Sequence, residues 1–274
     1  MRVRVSPPAP INKSEVAYLK PPLKWAGGKR WLLPYITAVW REHTNRRYVE
    51  PFCGGLAAAL GLQPGRALLN DLNPHLINFY RHLQRGLAVE IEMRYDEKLF
   101  YSHRARFNQI IMNGGARSSE AAQLFYYLNR TCYNGLCRFN QSGEFNVPFG
   151  QYKAVNYSAD FLAYRKVLCN WKFKNVDLEK LELERDDFIY ADPPYDVEFT
   201  TYSAGGFAWD DQERTAERLA RHRGPVLLSN QATSRIVRLY RQLGYRLKFL
   251  DGPRRISANG SRAAAREVLA SRNL

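Results

Sequence analysis

Short apolar runs broken by turn residues set the rhythm of this chain. Tyr48-Val49-Glu50 leads into Pro51-Phe52-Cys53-Gly54-Gly55, and small and apolar residues follow from Leu56 to Leu62. Gly65 then turns the chain, and Ala67-Leu68-Leu69 ends at Asn70-Asp71. The pattern predicts strand, Gly-rich turn, short helix and strand, a compact βαβ unit with an acid at the tip of its second strand. Phe188-Ile189-Tyr190-Ala191 reads as a buried strand running into Asp192-Pro193-Pro194-Tyr195, and Val226-Leu227-Leu228-Ser229 as another. Tyr245 to Leu250 and Glu267 to Ser271 are expected to pair as antiparallel edge strands. The fold class expected is α/β, with a mostly parallel, Rossmann-like sheet.

Between these blocks the periodicity changes. Helical patterns run from Ala105 to Met112 and from Ser119 to Asn129. Arg138-Phe139-Asn140 and Phe145-Asn146-Val147 then flank Gln141-Ser142-Gly143-Glu144, which predicts a β-hairpin with a four-residue turn. Residues 87–157 are therefore expected to be an insertion, with 21–86 and 158–274 forming the α/β part. Pro7, Pro8 and Pro10 mark residues 1–20 as a flexible lead.

Charge narrows the partner. The formal net charge of the 274 residues is +15, with a pI near 9.8, so a polyanion is expected. Aromatic residues make up 13% of the chain, which favours nucleic acid, where bases stack on flat side chains, over a membrane surface. From Gln212 to Leu274 there are 14 Arg and Lys against 4 Asp and Glu. Arg254, Arg255 and Arg262 fall there in a loop-like stretch suited to phosphates. Cys53, Cys132, Cys137 and Cys169 have neither zinc-like spacing nor a CxxC pair, and read as reduced thiols. The start has no apolar signal region, and no run approaches the roughly 20 apolar residues of a membrane span. A cytoplasmic location is expected.

Asp192-Pro193-Pro194-Tyr195 is the sharpest chemical signal. An exocyclic amino group such as adenine N6 is a poor nucleophile because its lone pair is delocalised into the ring. A site that alkylates it must accept hydrogen bonds from its protons. The Asp192 carboxylate could take one and the Pro193 carbonyl the other, while Tyr195 stacks on the base. Pro193 and Pro194 stiffen the turn and remove competing N–H donors. Catalysis would then be orientation and electrostatics. Asp71 lies 17 residues beyond Gly54, where a carboxylate can grip ribose hydroxyls or else cap a helix in Asn-Asp-Leu-Asn-Pro. Neither GxGxxG nor GxxxxGK is present, which disfavours NAD and ATP. In Lys24-Trp25-Ala26-Gly27-Gly28-Lys29 a lysine follows paired glycines and could bind a carboxylate. Taken alone, that segment reads as a helix N-terminus with a packed Trp.

Together KWAGGK, VEPFCGG, NDLNP, LNRTCYNGLCRFN, GEFNVPFGQYK, DPPY, DDQ, LLSN and RRISANG resemble, in order, the Dam-type (D12 class) DNA adenine-N6 methyltransferases. The resemblance implies a Rossmann-like S-adenosylmethionine-dependent methyltransferase sheet with an inserted helical and β-hairpin target-recognition domain. It implies base flipping of an adenine in double-stranded DNA, within GATC or a related site. Cofactor contacts are implied at Trp25, Ala26, Gly28, Lys29, Phe52, Gly54, Asp71 and Asp192. DNA contacts are implied at Lys24, Tyr133, Asn134, Leu136, Arg138, Pro148 and Asn259. Arg138 would pair with guanine O6 and N7, Leu136 and Pro148 would give apolar contacts, and Tyr133, beside Asn134, would enter the opened duplex. No metal is expected, because a sulfonium carries its own leaving group, and the chain is expected to act as a monomer. Departures from the family pattern are Leu56 in place of the second glycine of FxGxG, Val197 and Glu198 after DPPY, and Gln151 where a basic residue often stands. The residues alone leave cytosine N4, RNA adenine and a non-catalytic DNA-binding role open.

Overall fold

The computed structural model describes residues 19–158, 160–196, 206–252 and 265–274. Most of the proline-bearing lead, the two departures Val197 and Glu198, and Arg254, Arg255, Asn259 and Arg262 lie outside the described residues.

Seven strands form one sheet: β1 (Tyr48–Glu50), β2 (Ala67–Asn70), β3 (Trp171–Lys174), β4 (Phe188–Ala191), β5 (Val226–Gln231), β6 (Arg246–Gly252) and β7 (Ala265–Arg272). Their order is β3-β2-β1-β4-β5-β7-β6. β1 to β5 run parallel, and β7 is antiparallel to both β5 and β6. The expected pairing of the last two strands therefore forms, but of these two β6 alone is an edge, β3 being the opposite one. β7 lies inside the sheet because Val268 and Ala270 bury against the core and its backbone bonds on both sides. Strand order reverses between β1 and β4, which puts a crevice at their carboxyl ends.

Both faces of the sheet are covered, which explains why its central strands read as continuous apolar runs. Tyr48, Leu69, Tyr190 and Leu227 point to one face, against α1 (Leu33–Trp40), α2 (Ala57–Leu62) and α3 (Pro74–Arg85). Val49, Leu68, Ile189 and Leu228 point to the other, against α7 (Trp209–Ala220) and α8 (Ser234–Gln242).

Residues between α3 and α6 (Leu162–Leu168) contribute α4 (Glu97–Met112) and α5 (Ser119–Thr131). Phe107, Phe125 and Phe145 belong to the same apolar cluster as Phe79 of α3, so this segment shares the core of the sheet's first face. The helical pattern from Ala105 captured only the second half of α4. That helix buries just Phe100 and Phe107, and its first two turns are largely polar. Caps fix the ends: Asp96 accepts from Leu99 N, and Ser118 from Ala121 N.

The hairpin is smaller than expected. Its turn closes through Asn140 N to Glu144 O (2.9 Å) and Gly143 N to Asn140 O (3.0 Å), with Gly143 at φ +82°. Strand pairing is limited to one bridge, Phe139 with Phe145. Side chains of α4 replace the missing ladder. Asn108 donates to Phe145 O (3.1 Å) and accepts from Phe145 N (2.8 Å), and Arg104 donates to Val147 O (3.2 Å). Among the described residues, no helix is long and apolar enough to cross a membrane.

Candidate active site

The crevice is built from three chain segments. The first is the turn after β1. Tyr80 of α3 donates its hydroxyl to Gly54 O at 2.6 Å, and Cys53 N donates to Asn70 O at 2.8 Å. Gly54 has φ +42°, and a Cβ there would lie 2.7 Å from Trp25 Nε1. A Cβ on Gly55 would lie 2.7 Å from Trp25 Cβ. Both glycines are thus required by the close approach of Trp25. Leu56 then takes φ +60° while fully buried, a left-handed conformation that disfavours side chains.

The second segment is the tip of β2. Asp71 accepts from Gly54 N at 3.0 Å and from Asn73 N at 2.9 Å. It does not cap α3. Asn73 does, accepting from His75 N and Leu76 N with Pro74 following. Burial pushes the Asp71 carboxyl upward, and those two amides hold it down. Asn70 fixes the tip from beneath, donating to Pro51 O and Val176 O. Leu72 is exposed beside it, and Phe52 meets Phe207 edge-on at 5.7 Å.

The third segment is the tip of β4. Ser229 Oγ donates to Asp192 Oδ1 at 2.7 Å, and Lys29 Nζ lies 3.3 Å from Oδ2. Burial pushes the Asp192 carboxyl up, while Lys29, Ser229 and Tyr195 draw it down. Lys29 also donates to Gly27 O at 2.8 Å and stands 4.3 Å from the Tyr195 ring centroid. Its ammonium is therefore turned inward, toward Asp192. Lys29 precedes a single 3-10 turn, Arg30–Leu32, that runs into α1 at Leu33, so the segment does lead into a helix. Ala26 and Gly28 are exposed beside it.

Behind the tip lies a polar relay that sequence reasoning had not assigned. Gln212 of α7 donates to Pro194 O at 2.7 Å, and buried Asn230 donates to Gln212 Oε1 at 2.9 Å. Asp196 is held by Thr233 and Arg235. The DDQ and LLSN strings signalled Gln212, Ser229 and Asn230 as part of a family pattern, without a role for them.

The expected DNA-reading residues are gathered on one segment. Tyr133, Asn134, Arg138 and Pro148 are exposed and Leu136 half-buried. Tyr133 N donates to Pro148 O at 2.9 Å, and Arg138 Nε to Asn146 Oδ1 at 2.9 Å. Lys24 is placed differently from the rest. Its ammonium donates to Arg130 O at 2.9 Å and sits 3.4 Å over the Tyr152 ring. Burial lowers its pKa to about 8. Buried Asn129, also missed, accepts from Lys24 N and donates to Lys24 O, both at 2.8 Å, and so ties the N-terminal loop to the end of α5, just ahead of Tyr133.

Strand order, glycine turn and acidic β4 tip define the class: an S-adenosylmethionine-dependent methyltransferase fold. The chain belongs to the D12 class of N6 adenine-specific DNA methyltransferases, whose family model matches residues 25–251. It is 36% identical over 259 residues to the DNA adenine methylase of Vibrio cholerae serotype O1, covering 87% of this chain and 90% of that protein. The DNA adenine methylase of Salmonella typhi is 33% identical over 270 residues, covering 90% and 93%. The type II methyltransferase M.MjaIII of Methanocaldococcus jannaschii is 32% identical over 278 residues, covering 89% and 95%. Among solved structures, the N-terminal domain of human METTL16 in complex with SAH aligns at TM-score 0.37 and 12% identity over 88% of this chain and 70% of that one. That likeness is too distant to add to the assignment.

Proposed function

We propose that this DNA adenine methyltransferase acts on an adenine flipped out of duplex DNA, within GATC or a closely related site. The observation that carries the reading is the Asp192 carboxylate at the β4 tip, fixed through Oδ1 by Ser229 and through Oδ2 by Lys29.

The residues of the crevice fit S-adenosylmethionine. Asp71 offers a carboxylate for ribose hydroxyls and no phosphate-binding loop is needed, while Trp25, Phe52 and Gly54 wall the turn. When bound, that cofactor supplies an electrophilic methyl group. Asp192 accepts a hydrogen bond from one N6 proton and the Pro193 carbonyl from the other, drawing the nitrogen toward tetrahedral geometry. Gln212 holds the neighbouring Pro194 carbonyl, so the turn is rigid before the base arrives. Tyr195 stacks on the base. The ionised carboxylate is the active form, and Lys29 favours it. Once alkylated, N6 is acidic and sheds its proton without needing a strong base.

Residues 87–157 serve as the reading module. Arg138 pairs with a guanine, Leu136 and Pro148 pack on neighbouring bases, and Tyr133 enters the gap left by the adenine. Lys24, tied to Arg130 and Tyr152, joins this module to the catalytic part. The enzyme works as a monomer.

Modification mapping of plasmid DNA from a methylation-free host expressing the chain tests this reading. N6-methyladenine confined to GATC is expected, and Asp192→Ala is expected to erase it while leaving a folded protein. The mark at another motif would overturn the assigned site. A mark surviving Asp192→Ala would overturn the mechanism.

A further inference from the structure

Glu267 stands near the start of β7, in register with Gln231 of β5 and Leu250 of β6. Because β7 runs antiparallel, its first residues lie beside the carboxyl end of β5, at the crevice. Tyr195 donates its hydroxyl to Glu267 Oε2 at 2.5 Å. The other oxygen, Oε1, rests where a Cβ on Gly252 would be only 2.6 Å away, with Trp31 Cζ2 3.1 Å from the same point. A side chain at position 252 would push the carboxylate out, so the glycine makes its seat.

We propose that Glu267 is a positioning residue for methyl transfer, holding the Tyr195 ring, and Lys29 above it, in register with Asp192. The inference rests on the reading of Asp192-Pro193-Pro194-Tyr195 as the turn that holds the base. A tyrosine on a loop is free to swing about its first side-chain torsion, and a bond at the far end of the ring fixes both its position and its plane. Lys29 occupies one face of that ring at 4.3 Å, so a stacked base must use the other. The same ammonium lies 3.3 Å from Asp192. Ring, ammonium and reacting carboxylate thus form one chain of contacts, and Glu267 ends it on rigid sheet backbone. Burial pushes the Glu267 carboxyl up, whereas Lys29 and the Tyr195 hydroxyl hold it down.

The test compares Glu267→Ala, Glu267→Gln, Tyr195→Phe and the double variant Tyr195→Phe/Glu267→Ala in the full-length enzyme. Single-turnover methylation, cofactor and DNA affinity, and the fluorescence of 2-aminopurine in place of the target adenine are measured. Tyr195→Phe and Glu267→Ala are each expected to slow methyl transfer about tenfold, the scale of one lost hydrogen bond to a charged group. Affinities should stay within about twofold, because the contact orients rather than binds. The double variant should be no slower than the slower single, since both remove the same bond. The 2-aminopurine signal should rise in both singles as stacking on the ring loosens. Glu267→Gln, which still accepts from the hydroxyl, should recover part of the rate. Full activity in Glu267→Ala would overturn the proposal, as would rate losses that multiply in the double variant. So would a lowered melting temperature with an unchanged fluorescence signal. If Glu267→Ala fails to fold, Glu267→Gln and Tyr195→Phe carry the comparison, and wild-type rates in both would overturn it. Asp192→Ala separates the two readings. Activity in that variant would sink the base-holding turn itself, while its inactivity beside unimpaired Glu267 variants would sink only the role of Glu267.

Discussion

The ammonium of Lys29 lies 3.3 Å from Oδ2 of Asp192, joining the glycine-rich N-terminal loop to the tip of β4. Burial alone raises the Asp192 carboxyl, and the Lys29 charge is the largest influence opposing it. In the proposed mechanism an ionised Asp192 accepts from the amino group, so activity is expected to fall as pH falls through its pKa. Removing the lysine lets that pKa climb. Lys29→Ala should therefore move the acidic limb of the pH–rate profile to higher pH and recover part of its rate there. Lys29→Arg, which keeps the charge, should move it less. An unmoved limb in Lys29→Ala would separate the lysine from the titration of Asp192.

Leu56 sets two effects against each other. Its left-handed backbone costs a side chain roughly 1–2 kcal/mol, whereas burying a leucine contributes roughly 1.5–3 kcal/mol. Burial wins, so both Leu56→Gly and Leu56→Ala should destabilise. Glycine, though, relieves the backbone and is also the better residue ahead of α2. In chemical denaturation Leu56→Gly should therefore be more stable than Leu56→Ala by about 1 kcal/mol, the reverse of the usual order. The usual order at this position would mean the backbone carries no such strain.

Leu56 also shows what the sequence made legible. A leucine where the family places glycine was visible as a departure, but its positive φ was not, because no pattern encodes a conformation that its residue type resists. The buried strands were legible because both faces of the sheet are covered and their residues are uniformly apolar. Asp71 and Asp192 were legible as acids ending such strands, but the sequence left helix capping open for Asp71, a place that Asn73 takes. α4 was half legible, since two buried phenylalanines in sixteen residues leave a weak period. Asn108, Asn129, Gln212 and Glu267 were not legible as site residues. Each acts through a hydrogen bond to a distant backbone or hydroxyl, and polar residues on helices and strands look alike until their partners are known. Lys24 was legible as a cation, but not as one turned inward onto Tyr152.

At the end of the sheet away from the crevice, Arg47 forks onto Asp187, Nε to Oδ1 at 2.8 Å and Nη2 to Oδ2 at 2.7 Å. Asp187 is fully enclosed and also accepts from Glu184 N at 2.7 Å. Removing Asp187 leaves Arg47 with Glu184, 3.0 Å from its Nη1, and with the Glu182 carbonyl, but takes away the fork and the acceptor of Glu184 N. Asp187→Ala should cost about 1.5–3 kcal/mol of stability, the scale of lost hydrogen bonds to a charged group. Its methylation rate well below the melting point should match wild type, because nothing in the crevice touches the pair. Thermal melts alongside low-temperature rates check both halves. A rate loss without a stability loss would mean that this end of the sheet communicates with the tips.

Arg138 is exposed, and its Nε is committed to Asn146 Oδ1 while Asn146 N donates back to Arg138 O. That pairing fixes the stem of the guanidinium and leaves the Nη groups to project. A fork held in this way suits the paired acceptors of guanine in the major groove. Arg138→Ala should cost about 1–3 kcal/mol of discrimination at one base position and little at the others. Asn146→Ala should blur the same position by less, because the arginine remains but is no longer held. Competition among duplexes carrying single base changes in the site measures both. If discrimination falls equally at every position, Arg138 contacts the phosphate backbone, and base reading lies elsewhere on the segment around Tyr133 and Leu136.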